Sequence, residues 1–468
     1  MRTLLDLGTS NAFFTLISQR PRTRQFYLFY FGWEAVQFGL AILFIAVLPK
    51  SLFEGIWLGN SRGVVILAFF AVFLQQQLWQ TVSQIGESSR KSVRVQLMNI
   101  SIAVVHLGLI VLLLLLRGVS VEFVLWLLAG EYLAASSVAY WFLRGEEKSG
   151  LENGAPPFSI AEMAREYWTY CKPLVLLSFV AFLYFFGDRW LLQRFGGGRQ
   201  QGYFQIASQF ASVSLLATTS ILSIFWKEIA EAHAEQNHAR VASLYRKVFR
   251  GLLMVSAILS GLLIPWTREI VLIVLGRPYL MATPVLAIMF LYPIAQSMGQ
   301  INGTMFLASG RTSTHTTLTV LGMLVSIPAT YFLQAPRSDT VLPGLGLGAL
   351  GMGIKMVVLG FAAVTLQSWV LARKGGWKFE WFFQLASILG VIALGYACKL
   401  VTSLIWNLSE TTVTSLIGPA VFCFLLYAGL ILSLVRMVPR LVGMERQEIA
   451  ALSKNLWSVL AWQPAGQR

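Results

Sequence analysis

The chain has 468 residues, 56% of them hydrophobic and only 12% charged, and its mean hydropathy is +0.67. A soluble domain carries roughly a quarter of its residues as Asp, Glu, Lys or Arg, so this chain has too little polar surface to cover a water-soluble core. The formal net charge of +15 is not gathered into a basic patch interleaved with aromatic residues, which argues against nucleic acid as a partner. Three cysteines without a CxxC pair argue against a disulfide framework or a zinc site, and we expect neither a metal nor a cofactor. The composition predicts a polytopic, all-α membrane protein.

Twelve apolar stretches are long enough, at about 20 residues, to cross a bilayer as helices. They lie at 26–48, 63–83, 95–116, 121–143, 173–195, 202–225, 249–275, 282–308, 312–334, 345–372, 382–403 and 412–436. The connections on the side of the two termini carry 25 Lys and Arg, whereas those on the opposite side carry nine. Because positively charged loops are retained in the cytoplasm, both termini are predicted to be cytoplasmic.

The longest internal connection, 144–172, predicts a boundary between two parts of the chain. It contains a polar stretch, then Ser159 and Glu162 at the spacing of a helix capping box. We predict an N-terminal lobe of four spans at 1–150, a linker with an amphipathic helix at 151–172, and eight further spans. A cytoplasmic tail at 437–468 has apolar residues spaced among charges, which predicts a helix lying on the membrane surface.

Three segments resemble polysaccharide exporters. The opening LLDLGTSNAFF is similar to the end of their second helix, and DRWLLQRFGGGRQQGYFQIASQF to their seventh helix, loop and eighth helix. The segment IVLIVLGRPYLMATPVLAIMFLYPIAQSMGQINGTMFLASGRT is similar to their ninth and tenth helices. This family is the polysaccharide-exporter and O-antigen-flippase branch of the multidrug/oligosaccharidyl-lipid/polysaccharide exporter superfamily.

The resemblance implies two helical lobes around a central cavity, with six spans at 173–381 and two extra spans at 382–436. It implies that the first family helix and most of the second are missing from the N-terminal lobe. It also implies a flippase for an undecaprenyl-pyrophosphate-linked oligosaccharide in the bacterial inner membrane, used in O-antigen or exopolysaccharide synthesis. The expected partners are that substrate, membrane lipids and a polysaccharide polymerase.

Three of the charged residues inside predicted spans are candidates for a substrate cavity. Asp188 and Arg189 are adjacent in 173–195, and Lys355 follows a glycine-rich stretch near the middle of 345–372. A charge at a helix centre costs about 2.5–3.5 kcal/mol on the insertion scale, so each needs a partner or water. Arg189 and Lys355 could supply positive potential to a cavity that binds pyrophosphate, with Asp188 holding Arg189. Alternatively, Asp188 and Arg189 anchor the helix structurally, and Lys355 forms a buried ion pair with an acid such as Asp188.

Polar side chains repeat at helical spacing in several spans. The lines contain Gln76, Gln80 and Gln84; Gln205 and Gln209; and Gln296, Gln300 and Thr304. Such spacing places amides on one helix face, where they contact other helices or water rather than lipid. These side chains either form hydrogen bonds between helices or line a path that binds sugar hydroxyls.

Glu34 and Glu131 lie within apolar runs of the N-terminal lobe. A buried carboxyl could take up a proton in an ion-coupled cycle, or it could be a neutral, hydrogen-bonded acid. His106 is more simply a hydrogen-bonded histidine than a ligand.

Three classes of function compete. The run GALGMGIK at 348–355 fails the spacing of a nucleotide-binding loop, so we expect transport by alternating access without ATP. The first prediction is a lipid-linked oligosaccharide flippase, which is not an enzyme. The alternative is an ion-coupled multidrug exporter of the same fold. A membrane-embedded polymerase or acyltransferase is disfavoured, since a polymerase would be expected to carry a sizeable external loop.

Overall fold

The computed structural model describes residues 6, 8–19, 22–89, 91–116, 120–144, 159–213, 229, 232, 237–309, 311–338, 342–406 and 413–443. Within these residues the regular structure is helical throughout and includes no strand. Nine helical stretches of this part of the chain are long and apolar enough to cross a membrane, and a tenth is a pair of helices bent by 71°. The predicted all-α, polytopic fold is confirmed.

The chain divides into two compact units, Met1–Phe185 and Phe186–Arg468. The helices that begin in the first unit are α1 (Thr9–Gln19), α2 (Arg24–Val47), α3 (Lys50–Trp57), α4 (Arg62–Phe73), α5 (Trp79–Ser88), α6 (Ser92–Leu115), α7 (Val121–Arg144) and α8 (Ile160–Val213). A π-helix, Leu74–Leu78, joins α4 to α5 without a loop.

The described part of the second unit contains the remainder of α8 and eight further α-helices. They are α9 (His238–Leu263), α10 (Thr267–Ile270), α11 (Thr283–Met289), α12 (Tyr292–Ala308), α13 (Thr312–Gln334), α14 (Gly348–Gly375), α15 (Trp381–Ile405) and α16 (Val413–Met437). Short π- and 3₁₀-helical turns, Val271–Leu275, Arg277–Ala282 and Pro439–Val442, complete it.

The helix ends follow the predicted spans closely, except around α8 and at α9, which begins at His238 rather than at 249 and bends by 71° before Thr267. Helix α8 begins next to Ser159, whose Oγ lies 3.5 Å from the backbone nitrogen of Glu162, and continues through the predicted span at 173–195. Its one non-helical residue is Gly197, at φ 72°, a conformation that glycine adopts without a steric penalty. The GGG run thus breaks the helix at the predicted connection. Residues 214–225 of the next predicted span, 151–158 of the linker and the predicted surface helix of the tail lie outside the described residues.

An aromatic core holds the described part of the first unit together. Phe13 on α1 stacks on Tyr30 of α2 with ring centroids 4.0 Å apart, and Tyr30 stacks on Tyr167 of α8 at 6.1 Å. Next to these rings, Arg22 donates to Glu166 over 2.9 Å. These contacts fix α1, α2 and the start of α8 against one another.

Close backbone approach holds α15 against α9 in the second unit. A Cβ added to Gly395 would overlap the backbone oxygen of Gly261, and one added to Gly261 would lie 2.8 Å from the oxygen of Val391. Small residues allow such contact between membrane helices. At the end of this seam, Lys399 donates to both carboxylate oxygens of Glu269 over 2.8 Å. The first of the two predicted extra spans therefore packs directly on the rest of the unit.

Candidate functional site

A buried charge cluster lies among α8, α13 and α14. Lys355 of α14 donates to Oδ2 of Asp188 on α8, and Thr330 of α13 donates to Oδ1 over 2.6 Å. The side chains of Lys355 and Asp188 are only 1% and 8% exposed. The structure therefore agrees with the second alternative for Lys355, a buried ion pair with Asp188. The two residues are 167 positions apart in the sequence.

The start of α14 is held close to α8 by its glycines. Gly348 has φ 54°, and a Cβ there would lie 2.8 Å from Oε1 of Gln200. That Gln200 oxygen accepts from the backbone nitrogen of Ala349 over 2.9 Å, and Gln334 of α13 donates to the Gly348 oxygen over 2.9 Å. Gln200 thus satisfies a backbone N–H at a helix start, where such groups lack intrahelical partners, and Gln334 adds a hydrogen bond to the first carbonyl. Lys355 lies about two helical turns after Gly348 along α14, where it contacts Asp188 of α8.

Arg189 is adjacent to Asp188 but has a different environment. Its guanidinium carbon lies 4.9 Å from the ring centroid of Phe204, further along α8. Its Nη1 is buried and has no hydrogen-bond partner among the described residues. Asp188 forms its ion pair with Lys355, so it does not hold Arg189 in the way that the sequence suggested.

The cluster has a net positive charge. Asp188 and Lys355 offset each other, which leaves the charge of Arg189 and one guanidinium donor without a hydrogen bond in the described part of the chain. A buried donor of this kind costs about 1–3 kcal/mol unless it is satisfied, and more when it is charged. The cluster can therefore bind an anion that reaches Nη1 without first breaking an ion pair.

A second buried polar network surrounds Glu34 in the first unit. Oε1 of Glu34 accepts from Thr81 over 2.5 Å and from Gln77 over 3.3 Å. Gln77 also donates to Ser10 over 3.2 Å, and Ser10 donates to Asp6 over 2.7 Å. The network connects the predicted coupling residue to two hydroxyls of the LLDLGTSNAFF segment, because Asp6 also accepts from Thr9 over 2.9 Å. Gln37 donates to Thr9 as well.

Gln77, rather than Gln76, faces this network, and it lies within the π-helical turn Leu74–Leu78. A π-helical turn contains one more residue than an α-helical turn and so rotates the residues beyond it around the axis. Gln77 and Thr81 are each 1% exposed, whereas Gln76 is exposed and Gln80 is half-buried. The sequence prediction of Gln76 and Gln80 on one face therefore stays a proposal for the substrate path, and Gln77 and Thr81 were missed.

Glu131 forms a separate pair within the first unit. Its Oε2 lies 2.6 Å from Nδ1 of His106 on the neighbouring α6, which agrees with a hydrogen-bonded histidine. Glu131 is buried, whereas His106 is partly exposed on the outer face of its helix. The two predicted coupling acids therefore belong to different networks.

The remaining predicted residues lie on two helices of the second unit. Gln209 is exposed on α8, and Gln296 and Gln300 are half-buried on α12, where Gln296 donates to the hydroxyl of Tyr292. Thr330 and Phe204, which contact the charge cluster, were not anticipated, since neither stands out from an apolar span. Among the described residues no group of His, Cys, Asp and Glu could hold a metal ion.

No protein-family model matches the chain, and no curated protein matches it in sequence. Solved structures do match. The chain has 13% identity and a TM-score of 0.64 to the lipid II flippase MurJ in an inward closed conformation, covering 93% of this chain and 90% of that one. A multidrug resistance MATE transporter of the MOP superfamily, inward-facing, has 13% identity and a TM-score of 0.61, covering 79% and 87%. A MOP superfamily transporter from Pyrococcus furiosus has 13% identity and a TM-score of 0.56, covering 80% and 84%.

The chain has the fold of MOP-superfamily transporters. That superfamily is the one to which the three sequence segments pointed. At these identities the similarity concerns the fold, so the polysaccharide-exporter branch and the missing helices remain predictions.

Proposed function

We propose that this protein is a flippase that moves an undecaprenyl-pyrophosphate-linked oligosaccharide across the bacterial inner membrane for O-antigen or exopolysaccharide synthesis. Transport occurs by alternating access without ATP, and both termini are cytoplasmic. A polysaccharide polymerase would use the product on the outer side. The MurJ structure, a lipid II flippase by its description, is a structural neighbour with a lipid-linked substrate.

The observation that carries this proposal is the unsatisfied guanidinium of Arg189 in the charge cluster. A pyrophosphate concentrates negative charge, and a cation in a low-dielectric site attracts it more strongly than the same cation in water. The planar fork of arginine matches phosphate oxygens, which a lysine ammonium does not. Asp188 does not compete for the fork, because Lys355 and Thr330 already bind its two oxygens.

Polar and apolar surfaces supply the other parts of the substrate site. Within the second unit, Gln209, Gln296 and Gln300 offer amides for sugar hydroxyls. Gln76 and Gln80 are separate candidates within the first unit. The spans expose many large apolar residues, such as Leu107 and Val358, which are suited to lipid and to a polyprenyl chain.

A binding measurement on the purified chain tests this assignment. Undecaprenyl pyrophosphate should bind the wild type more tightly than undecaprenol, which lacks the charged group. Arg189→Ala should weaken binding of the pyrophosphate by about tenfold or more, since a hydrogen bond to a charged group is worth about 1.5–3 kcal/mol. Arg194→Ala removes an exposed cation from the same helix and is the matched control. Equal binding of the two lipids would refute the assignment.

The second candidate is an ion-coupled multidrug exporter, favoured by the MATE structures and by the buried Glu34 network. In this function Glu34 would take up a proton and the substrate would be an organic cation. It predicts efflux of tetraphenylphosphonium driven by a proton gradient and lost in Glu34→Gln. The flippase proposal predicts no such efflux, and Glu34 and Glu131 would then couple lipid movement to an ion gradient.

A further inference from the structure

An open pocket lies at the opposite end of α14 from its glycine-rich start. It is lined by the start of α9, the connection from α14 to α15, and the first turn of α15, and we call it the rim pocket. Its lining includes Tyr245, Arg246, Trp377, Lys378, Glu380 and Phe383. Along the continuous α14, its end at Gly375 is about 30 Å from Lys355, at about 1.5 Å per residue. The rim pocket is therefore separate from the Asp188 cluster.

One arginine already satisfies the only acid that lines the described part of this pocket. Arg250 donates from Nε and Nη2 to Oε2 of Glu380, over 3.0 and 2.7 Å. It also donates from Nη1 to the backbone oxygen of Arg440 over 3.0 Å, which brings the turn after α16 to the pocket. The guanidinium carbon lies 4.4 Å from the ring centroid of Phe383. Arg250 and Glu380 thus form an ion pair with no net charge beside the pocket.

Further cations surround this neutral ion pair. The Nε of Arg246 lies 3.5 Å from Oε1 of Glu380, and its side chain is half exposed. Lys378 and Arg440 are exposed, and neither side chain has an ion-pair partner among the described residues. Arg246 and Arg250 share the carboxylate of Glu380, and Lys378 adds a further cation to the pocket lining, so the edge of the rim pocket has a surplus of positive charge.

The inner part of the rim pocket is aromatic. Tyr245 lies against Phe249 at 5.4 Å and against Trp377 at 5.6 Å between ring centroids. The first two residues of α15, Trp381 and Phe382, are strongly exposed. Tryptophan is enriched where a membrane protein crosses from hydrocarbon to water, so this end of α14 and α15 lies at the membrane surface. The pocket therefore presents cations to the headgroup layer and rings to the acyl layer.

We infer that the rim pocket binds the phosphate headgroup of an anionic membrane phospholipid. Basic pockets between helices on the side that faces anionic lipid recognise such headgroups by charge, and the aromatic part accommodates the first carbons of the acyl chains. This site is independent of the proposed flippase function and is placed on different elements from the Asp188 cluster. A bound lipid would connect α9, α15 and the turn at Pro439–Val442.

The test is lipid binding by the delipidated full chain in a non-ionic detergent, counted by native mass spectrometry. The ligand is phosphatidylglycerol, with phosphatidylcholine as the zwitterionic counterpart. The variant combines Arg246→Ala, Lys378→Ala and Arg440→Ala. The control combines Arg194→Ala, Arg199→Ala and Arg268→Ala, which removes the same charge from exposed positions on α8 and α10. If the triple variant does not fold, the single variant Lys378→Gln replaces it.

We expect phosphatidylglycerol to bind the wild type and the control with equal affinity. Its affinity for the rim variant should be lower by about tenfold or more, since each cation near an anionic headgroup contributes binding energy. Lys378→Gln should show a smaller loss in the same direction. Equal losses in the rim variant and the control would overturn the inference, as would equally tight binding of phosphatidylcholine. Displacement of phosphatidylglycerol by equimolar inorganic pyrophosphate would also overturn it, because the cations would then recognise a soluble anion.

Discussion

At the scale of single residues, the central feature is that the adjacent Asp188 and Arg189 have different hydrogen-bonding environments. Asp188 is saturated by Lys355 and Thr330, while Arg189 retains an unsatisfied donor. A buried ion pair is costly to break, because removal of one partner leaves the other charge buried and alone. The Asp188–Lys355 pair is therefore a structural support for Arg189, and its loss should affect stability as well as binding.

This reasoning predicts a non-additive mutant series. Lys355→Met should reduce the free energy of unfolding by about 3–5 kcal/mol, and Asp188→Asn should also be destabilising. The double variant should recover most of that loss, because neither charge then remains buried alone. Thermal unfolding of the purified variants in detergent measures the effect. A double variant as unstable as the sum of the two single variants would show that the pair does not exist.

The sequence identifies these charged residues but not their partners. Asp188, Arg189 and Lys355 stand out because charges inside apolar spans are rare. Which of them pair depends on how α8 and α14 pack, and hydropathy contains no information on that contact. Thr330 completes the site, yet a threonine in an apolar span gives no signal of its own.

At the scale of elements, the π-helix Leu74–Leu78 contains the glutamine that contacts Glu34. A pattern of Gln76, Gln80 and Gln84 at i, i+4 spacing suggests one polar face, but that inference assumes a regular α-helix. Gln77 and Thr81 are the buried residues instead. Sequence alone could not locate this irregularity, because no proline or glycine marks it.

Two neighbouring glutamines provide a matched test of that register. Gln77→Leu should destabilise the protein by about 1–3 kcal/mol, because Glu34 and Ser10 lose a buried donor. Gln76→Leu, on the exposed side, should change stability by about 0.5 kcal/mol or less. The comparison again uses unfolding temperatures in detergent. Larger destabilisation by Gln76→Leu than by Gln77→Leu would contradict the π-helical register.

The seam between α9 and α15 gives a second prediction at this scale. Gly395→Ala should lower the free energy of unfolding by about 1–3 kcal/mol, since its Cβ would overlap the backbone of Gly261. Gly390→Ala is the control on the same helix, because a Cβ there meets no atom within 4 Å. If both variants unfold at the same temperature, α15 does not pack as described.

At the scale of the whole molecule, hydropathy predicted the helical spans well. Their boundaries agree within a few residues for most of the chain, because the bilayer thickness fixes the length of an apolar helix. The run of helix from Ile160 into the predicted span was not foreseen, because Pro173 indicates a break before the span, whereas the helix continues through it to Gly197. The assignment to lobes and the two extra spans remain predictions.

Topology is the prediction that belongs to this scale. The asymmetry of 25 Lys and Arg against nine predicts that residue 150 is cytoplasmic and that the break at Gly197 is on the opposite side. Reporter fusions after Gly150 and after Gly197 should therefore be active in different compartments. Activity of both fusions in one compartment would contradict the predicted orientation.

The central claim, movement of a lipid-linked oligosaccharide, is tested most directly in proteoliposomes. A fluorescently labelled undecaprenyl-pyrophosphate oligosaccharide is incorporated in both leaflets, and the membrane-impermeant reductant dithionite is then added outside. With the wild type, the label of the inner leaflet should become accessible. With Arg189→Ala this should slow markedly, with Arg189→Lys it should recover only in part, and Arg194→Ala should behave as the wild type. An inner-leaflet label that stays protected from dithionite in the presence of folded wild-type protein would contradict the account.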